Sequence, residues 1–279
     1  MTAPIQLGAD WAGLTLSHPR VMGILNVTPD SFSDGGTSPA VKDAVNAGLR
    51  MAAEGADIVD VGGESTRPGA QPVPPEIEQV RVVPVIRALG AAGVRVSVDT
   101  RNSTTMAAAL DAGAAIVNDV SALSHDPRSL ALLAQRDCPV VLMHMRGKPD
   151  TMNALANYRD VAHEVAAELG ALIAAAEQAG ISAGHIAIDP GIGFAKRAAH
   201  SVELLRRLPE LASLGYPIVI GVSRKAFIGR LGEEPEPRAR MPGSLAAALF
   251  AVSRGANVLR VHDVRATVQA LKIWSALNS

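Results

Sequence analysis

The chain has 279 residues, 48% of them apolar, with 26 basic residues against 27 acidic ones and a net charge of −1. With its charges interspersed and aromatics at only 3%, it has neither the electrostatic footprint of a nucleic-acid or anionic-lipid binder nor a platform for stacking bases. A single cysteine, Cys138, excludes an internal disulfide; the longest apolar stretch, Leu245–Val252, is far too short to span a bilayer; and no basic patch followed by an apolar run opens the chain, so the expected compartment is the cytoplasm.

In chain order, the first twenty residues, with two short apolar runs around Gly8–Asp10, predict a β-hairpin over one end of whatever follows. Short β-branched apolar runs then recur at Val21–Val27, Ile58–Gly62, Val94–Asp99, Ile116–Asp119, Val140–His144, Ile186–Asp189, Ile218–Val222 and Val258–His262. Ala- and Leu-rich segments of helical spacing separate them, as at Val161–Ala179 and Leu245–Arg254, and this alternation predicts parallel βαβ units. Gly55, Gly93, Gly113, Gly180, Gly215 and Gly255 each stand just before the next strand, where a left-handed residue ends a helix. The phrases EGADIVDV, AGAAIVND and RGANVLRV are close variants of one sentence. The expected fold class is therefore α/β, a (β/α)8 barrel over residues 21–279 with the hairpin at 1–20, in a single domain. An open doubly wound sheet is the alternative, but it would leave two edge strands, and none of the eight is charged or broken by proline as an edge should be.

A parallel barrel puts every strand C-terminus on one face, where active sites form. The residues there are polar: Asn26, Gly62–Arg67, Asp99, Asn118-Asp119, His144, Asp189, Ser223-Arg224-Lys225, and Arg260 with His262. Strand starts are apolar or small by contrast. Asp99, Asn118, Asp189 and Lys225 come from four strands, and a set of acceptors with one ammonium donor suits a flat nitrogen heterocycle. Arg67, Arg260 and His262 are donors suited to phosphate oxygens. Asn26 offers one neutral oxygen, appropriate to Mg2+ held mainly by phosphates and water. Plainer readings compete. Asp119 and Asn102 are expected as caps of the helices that follow them, His144 as a packed wall residue, Cys138 as structural, and Arg224 with Lys225 as an exposed pair at a helix start. The helix dipole disfavours cations there, which favours a ligand-facing Lys225. GIGFAK at Gly191–Lys196 lacks the phosphate-loop spacing, and no GxSxG, HExxH or paired CxxC is present.

Four segments together resemble the dihydropteroate synthase family: MGILNVTPDSFSDGG at Met22–Gly36, DVGGESTRPGA at Asp60–Ala70, SRKAFIG at Ser223–Gly229 and RVHDV at Arg260–Val264. SVDT at Ser97–Thr100, LMHMRGKP at Leu142–Pro149 and DPGIGF at Asp189–Phe194 fit as well, and the order is the family's along essentially the whole chain. The resemblance implies a barrel enzyme of folate biosynthesis that condenses p-aminobenzoate with the pyrophosphate ester of hydroxymethyl-dihydropterin, with Mg2+. By matching position it implies that Asp99, Asn118, Asp189 and Lys225 hold the pterin, that Asn26 helps hold the metal, and that Arg67, Arg260 and His262 bind pyrophosphate. It places Thr66 at the substrate mouth and lets the loops Val27–Gly36, with Phe32 and Asp34, and Ser65–Gly69 close over the substrates. Pro68 and Phe194 would wall the p-aminobenzoate site, with Ser223 near its carboxylate. It further implies a homodimer through the helices of the last βα units, no nucleic-acid or membrane partner, and sensitivity to sulfonamides. Departures are few: Ala226 stands where some relatives carry a hydroxyl, Pro242 where a smaller polar residue is frequent, and Ala195 where a glycine is. A pterin-dependent methyltransferase acting on a corrinoid partner, and a non-catalytic pterin-binding paralogue, are the rival functions. The first has no use for an Arg260/His262 anion pair, and the second is disfavoured by complete motifs.

Overall fold

A computed structural model describes residues 10–27, 39–65, 72–148 and 151–278. The chain opens on two antiparallel dipeptide strands, β1 (Asp10–Trp11) and β2 (Leu14–Thr15), joined by Ala12 and Gly13 at φ +53° and +68°, the paired left-handed turn that matches strand twist. The hairpin is present, a few residues later than the apolar runs suggested.

Strands and helices then alternate: β3 (Arg20–Asn26), α1 (Pro39–Ala53), β4 (Ile58–Gly62), α2 (Pro75–Ala91), β5 (Val96–Asp99), α3 (Ser103–Asp111), β6 (Ile116–Asp119), α4 (Ser129–Arg136), β7 (Val140–Met143), α5 (Val161–Gln178) and β8 (Ile186–Asp189). The remainder is α6 (Ala198–Arg206), α7 (Leu208–Ala212), β9 (Val219–Ile220), α8 (Ala226–Leu231), α9 (Met241–Ser253), β10 (Val258–Val261) and α10 (Val264–Leu277). All strand pairings from β3 to β10 are parallel, each strand lies beside its successor, and β10 returns to pair with β3. The last seam closes through a parallel bridge between Ile188 and Ile218 and the Ile188 N–H donating to the Pro217 carbonyl at 2.8 Å. The sheet is a closed (β/α)8 barrel, and the open-sheet alternative falls. All six of the glycines expected to stop helices have positive φ, between +79° and +106°.

β9 is two residues long where the sequence predicts five. The Asn257 side chain takes the place of a ladder partner, its Oδ1 accepting from the Ile218 N–H at 2.8 Å, while the Asn257 and Val258 N–H groups share the Ile218 carbonyl. Pro242 falls in the first turn of α9, where its missing N–H costs nothing.

Alternation along each strand divides the core into two shells. Val21, Leu25, Val59, Val61, Val96, Val98, Val117, Leu142, Ile188 and Leu259 face outward and pack under the helices. Met22, Ile58, Ile116, Val141, Ala187, Val219 and Val258 face inward and fill the barrel floor together with Trp11, Leu14 and Leu16 of the hairpin. Trp11 is 1% exposed, and its indole N–H reaches the His185 carbonyl at 2.9 Å. The hairpin thus plugs the N-terminal end of the barrel and leaves the C-terminal end as the one open mouth.

Candidate active site

One step above the floor, the inward positions turn polar. Asp60 on β4 is 0% exposed, and its Oδ2 accepts from Asn118 Nδ2 of β6 at 3.0 Å and from Arg260 Nε of β10 at 2.6 Å. Arg260 Nη2 reaches on to Asp99 Oδ2 of β5 at 2.6 Å. Four strands are thereby tied across the barrel by one guanidinium and one amide. Asp60 Oδ1 and the hydroxyl of Ser97, its register partner on β5, are buried without a protein hydrogen-bond partner. Buried acceptors in that state mark where a ligand's donors would be welcome.

Opposite this cluster, β8 ends at Asp189, whose Oδ1 accepts the Gly191 N–H at 2.7 Å. The following loop needs the left-handed region at Gly191, Gly193 and Ala195. A Cβ on Gly191 would sit 2.0 Å from the His144 carbonyl oxygen, so this glycine is required by close approach as well as by φ. Lys225, at the N-cap of α8 after β9, donates to the Ile192 carbonyl at 2.8 Å and places its ammonium 4.2 Å from the centre of the Phe194 ring. Burial pulls Lys225 down to about 8 against the pull of Asp189, and it pushes Asp189 and Asp99 above the ordinary carboxylate range, the latter despite Arg260. An enclosed set of easily neutralised groups of both signs suits a flat heterocycle with ring N–H, amino and carbonyl groups.

At the rim, Ser223 Oγ lies 3.0 Å from His262 Nδ1 and accepts the His262 N–H at 3.2 Å. Asn26 is exposed at the mouth, as is Ser65 at the start of the next loop. Glu64, just before Ser65, is held from two sides: Arg101 donates to both its oxygens at 3.0 Å, and the Val73 N–H donates to Glu64 Oε1 at 3.0 Å. Below it, Glu78 accepts from Thr100 Oγ1 and Asn102 Nδ2, each at 2.9 Å. Phe32, Asp34, Thr66, Arg67 and Pro68 lie outside the described residues. Among the described residues no cluster of three His, Cys, Asp or Glu side chains is arranged to hold a metal.

The structure thus brings Asp99, Asn118, Asp189, Lys225 and Arg260 into one cavity, with Asn26, Ser223, His262 and Phe194 around its edge. It also refines several expectations. Asp119 faces away from the cavity and accepts from the Ser121 N–H and hydroxyl and the Leu123 N–H; it closes the turn after β6 and does not cap the following helix as expected, because α4 begins only at Ser129. Asn102 occupies the N-cap of α3, but its side chain bonds Glu78 instead of the helix N–H groups. Arg224 and Lys225 are not an exposed pair: Arg224, left-handed at φ +60°, binds Asp263 at 2.6 Å, and Lys225 turns into the mouth. Cys138 is buried, which pushes its thiol up to about 11 and away from nucleophilic chemistry. Asp60 was missed in the sequence, although it shares the inward phase of Gly62 on β4. Glu64 was read only as part of the polar strand end, and Arg101 and Lys196 were missed, because the side chains they meet, Arg101 for Glu64 and His144 for Lys196, lie on other βα units.

A barrel with one polar mouth built this way belongs to the pterin-binding class: a family model described as Pterin binding enzyme matches residues 22–262. A curated dihydropteroate synthase of Neisseria meningitidis serogroup C is 49% identical over 266 residues, covering 94% of each chain. The structure superposes on Xanthomonas albilineans dihydropteroate synthase with 4-aminobenzoic acid at a TM-score of 0.89, with 52% identity over 96% of this chain and 97% of that one. The same enzyme in complex with 7,8-dihydropteroate gives a TM-score of 0.86 and 50% identity, over 95% and 96% of the two chains. The chain belongs to the pterin-binding enzymes and, within them, to the dihydropteroate synthases. Its activity is the transfer of a pterinylmethyl group.

Proposed function

We propose that the substrates are p-aminobenzoate and the pyrophosphate ester of 6-hydroxymethyl-7,8-dihydropterin, and that the deep cluster is the pterin seat. The observation that carries this reading is the convergence of Asp60, Asp99, Asn118 and Arg260 in one hydrogen-bonded group facing Asp189 and Lys225. In it, Asp99, Asn118 and Asp189 accept from the ring and amino N–H groups, and Lys225 donates to the ring carbonyl. Phe194 with Pro68 walls the arylamine, and Ser223 and the start of α8 receive its carboxylate, the α8 N–H groups substituting for a hydroxyl at Ala226. Arg67, Arg260 and His262 hold the pyrophosphate, and Thr66, Ser65, Phe32 and Asp34 belong to the loops that close the mouth.

The bond from the exocyclic methylene to the pyrophosphate oxygen breaks, its electron pair leaving with pyrophosphate, ahead of attack by the arylamine nitrogen. The new C–N bond then releases one proton from that nitrogen. Positive charge developing on the pterin favours ionised Asp99 and Asp189, which burial holds towards protonation in the empty site. The arylamine is neutral near pH 7, so no strong base is needed before attack. Asn26, exposed at the mouth and without a carboxylate cage among the described residues, fits an Mg2+ ion whose remaining ligands are phosphate and water, and that ion would neutralise the leaving charge.

The proposed location is the cytoplasm, in keeping with the single cysteine of the chain; no helix among the described residues is long and apolar enough to cross a membrane. A homodimer through α9 and α10 is supported by Phe250, Ile273 and Leu277, exposed at 37%, 61% and 80%.

The test is pyrophosphate release from the pterin ester with p-aminobenzoate and Mg2+, with the arylamine omitted in parallel, and with Asp189→Ala and Lys225→Ala. Arylamine-dependent dihydropteroate formation that is lost in both variants supports the seat. Full turnover in either variant removes that residue from it. Pyrophosphate release that strictly requires the arylamine favours concerted displacement over a free cation.

A further inference from the structure

Behind the loop of residues 190–197 lies a file of ionisable side chains that the pterin seat does not use. Lys196 is 7% exposed; its Nζ donates to the Phe194 carbonyl at 3.0 Å and lies 2.9 Å from His144 Nδ1. His144 is 1% exposed, and its Nε2 lies 2.9 Å from Glu168 Oε2 of α5. Glu168 is held by Arg146, whose guanidinium also binds Glu164 at 2.8 Å and covers the Tyr158 ring at 4.0 Å.

The file has a fixed direction. An ionised carboxylate only accepts, so the His144 ring proton sits on Nε2 and points to Glu168, which leaves Nδ1 to accept from Lys196. Burial pulls Lys196 down to about 7 and His144 to about 4. An apolar pair would fill the same wall without that desolvation cost, so the polar file has something to hold. What it holds is the Phe194 peptide. The loop has left-handed residues on both sides of Phe194 and no strand ladder of its own. It is tied at two carbonyls, Ile192 by Lys225 and Phe194 by Lys196.

We propose that Lys196, with His144 and Glu168 fixing its ammonium, is a positioning residue for the arylamine: it sets the height of the Phe194 ring through the Phe194 carbonyl. The proposal rests on the reading of Phe194 as a wall of the arylamine pocket. Lys225, on the other tie, serves the pterin.

The test is a steady-state double-mutant cycle of Lys196→Met and Phe194→Ala. Lys196→Met should raise the KM for p-aminobenzoate about tenfold and leave the KM for the pterin ester within about twofold, since misplacing one wall costs only the substrate that touches it. Phe194→Ala should do the same, and the double variant should be no worse than Phe194→Ala alone, because both act on one contact. Lys196→Gln, which still donates to the carbonyl, should recover most of the loss. Equal rises in both KM values, or additive losses in the double variant, overturn the proposal. If Phe194→Ala raises the arylamine KM and Lys196→Met does not, the proposal falls and the reading of Phe194 stands. If Phe194→Ala leaves that KM unchanged, both fall. Where Lys196→Met does not fold, Glu168→Gln at the outer end of the file decides: a selective rise of about threefold in arylamine KM supports the proposal, and no rise overturns it.

Discussion

At the scale of single residues, the most consequential side chain is one the motif reading passed over. Asp60 anchors both Asn118 and Arg260, so it orients two groups of the pterin seat while its other oxygen has no protein partner. Asp60→Asn keeps the shape and loses the charge opposite a buried guanidinium. It should lower kcat/KM for the pterin ester at least about tenfold and cost about 2 kcal/mol of stability, read by initial rates and by a denaturant midpoint; unchanged rates would make Asp60 a packing residue only. Lys225 carries a pH prediction of two opposite signs. Burial holds it at about 8, below its ordinary value of 10.5, so the folded empty enzyme gives up this proton before the unfolded chain does. Stability should therefore rise with pH between about 8 and 10.5. Over the same window kcat/KM for the pterin ester should fall, since that constant reports the free enzyme's donor. Lys225→Arg, which stays charged, should flatten the kinetic fall; an unaltered profile would assign it to the substrate.

At the scale of elements, each βα unit delivers its functional residue because its strand stops where its loop begins. The β8 loop is the clearest case. Gly191→Ala would drive a Cβ to 2.0 Å from the His144 carbonyl at φ +66°, so it should cost more than the roughly 1–2 kcal/mol of a left-handed side chain alone. It should also displace Phe194 and Lys225 together, measured as loss of both pterin and arylamine affinity. The hairpin offers the converse. Trp11→Ala removes a floor residue at the far end of the barrel, and should cost about 3–5 kcal/mol by chemical denaturation while leaving both KM values close to those of the parent enzyme. A selective loss of substrate affinity there would mean that floor and mouth are coupled.

At the scale of the whole molecule, the empty enzyme carries buried groups pushed towards neutrality at one end and a sealed apolar floor at the other. A ligand that satisfies those groups should stabilise the fold by mass action, by about 2.7 kcal/mol at a hundred times its Kd, visible as a concentration-dependent rise in Tm. The exposed Phe250, Ile273 and Leu277 lead to the expectation that the protein sediments as a dimer and that Ile273→Glu shifts it towards the monomer. A parent protein that sediments as a monomer would remove that interface.

By itself the sequence determined the eight βα units and the polar face at their strand ends. Strand and helix periods, six helix-ending glycines and polar strand ends are local signals, and a closed parallel barrel converts them directly into place: Asp99, Asn118 and Asp189 end β5, β6 and β8, Lys225 follows β9 at the start of α8, and all four reach one mouth because every strand ends on the same face. Only the tertiary structure decided what depends on partners distant in the chain. Asp60 meets Arg260 across 200 residues, Lys196 meets His144 across 52, and Glu64 meets Arg101 across 37. Closure itself was decided at the last seam, where Ile188 bridges to Ile218. No local pattern encodes such pairings, because a carboxylate reads the same in sequence whether it faces water, a cap or a guanidinium; its role is set by which charge the fold carries to within hydrogen-bonding distance.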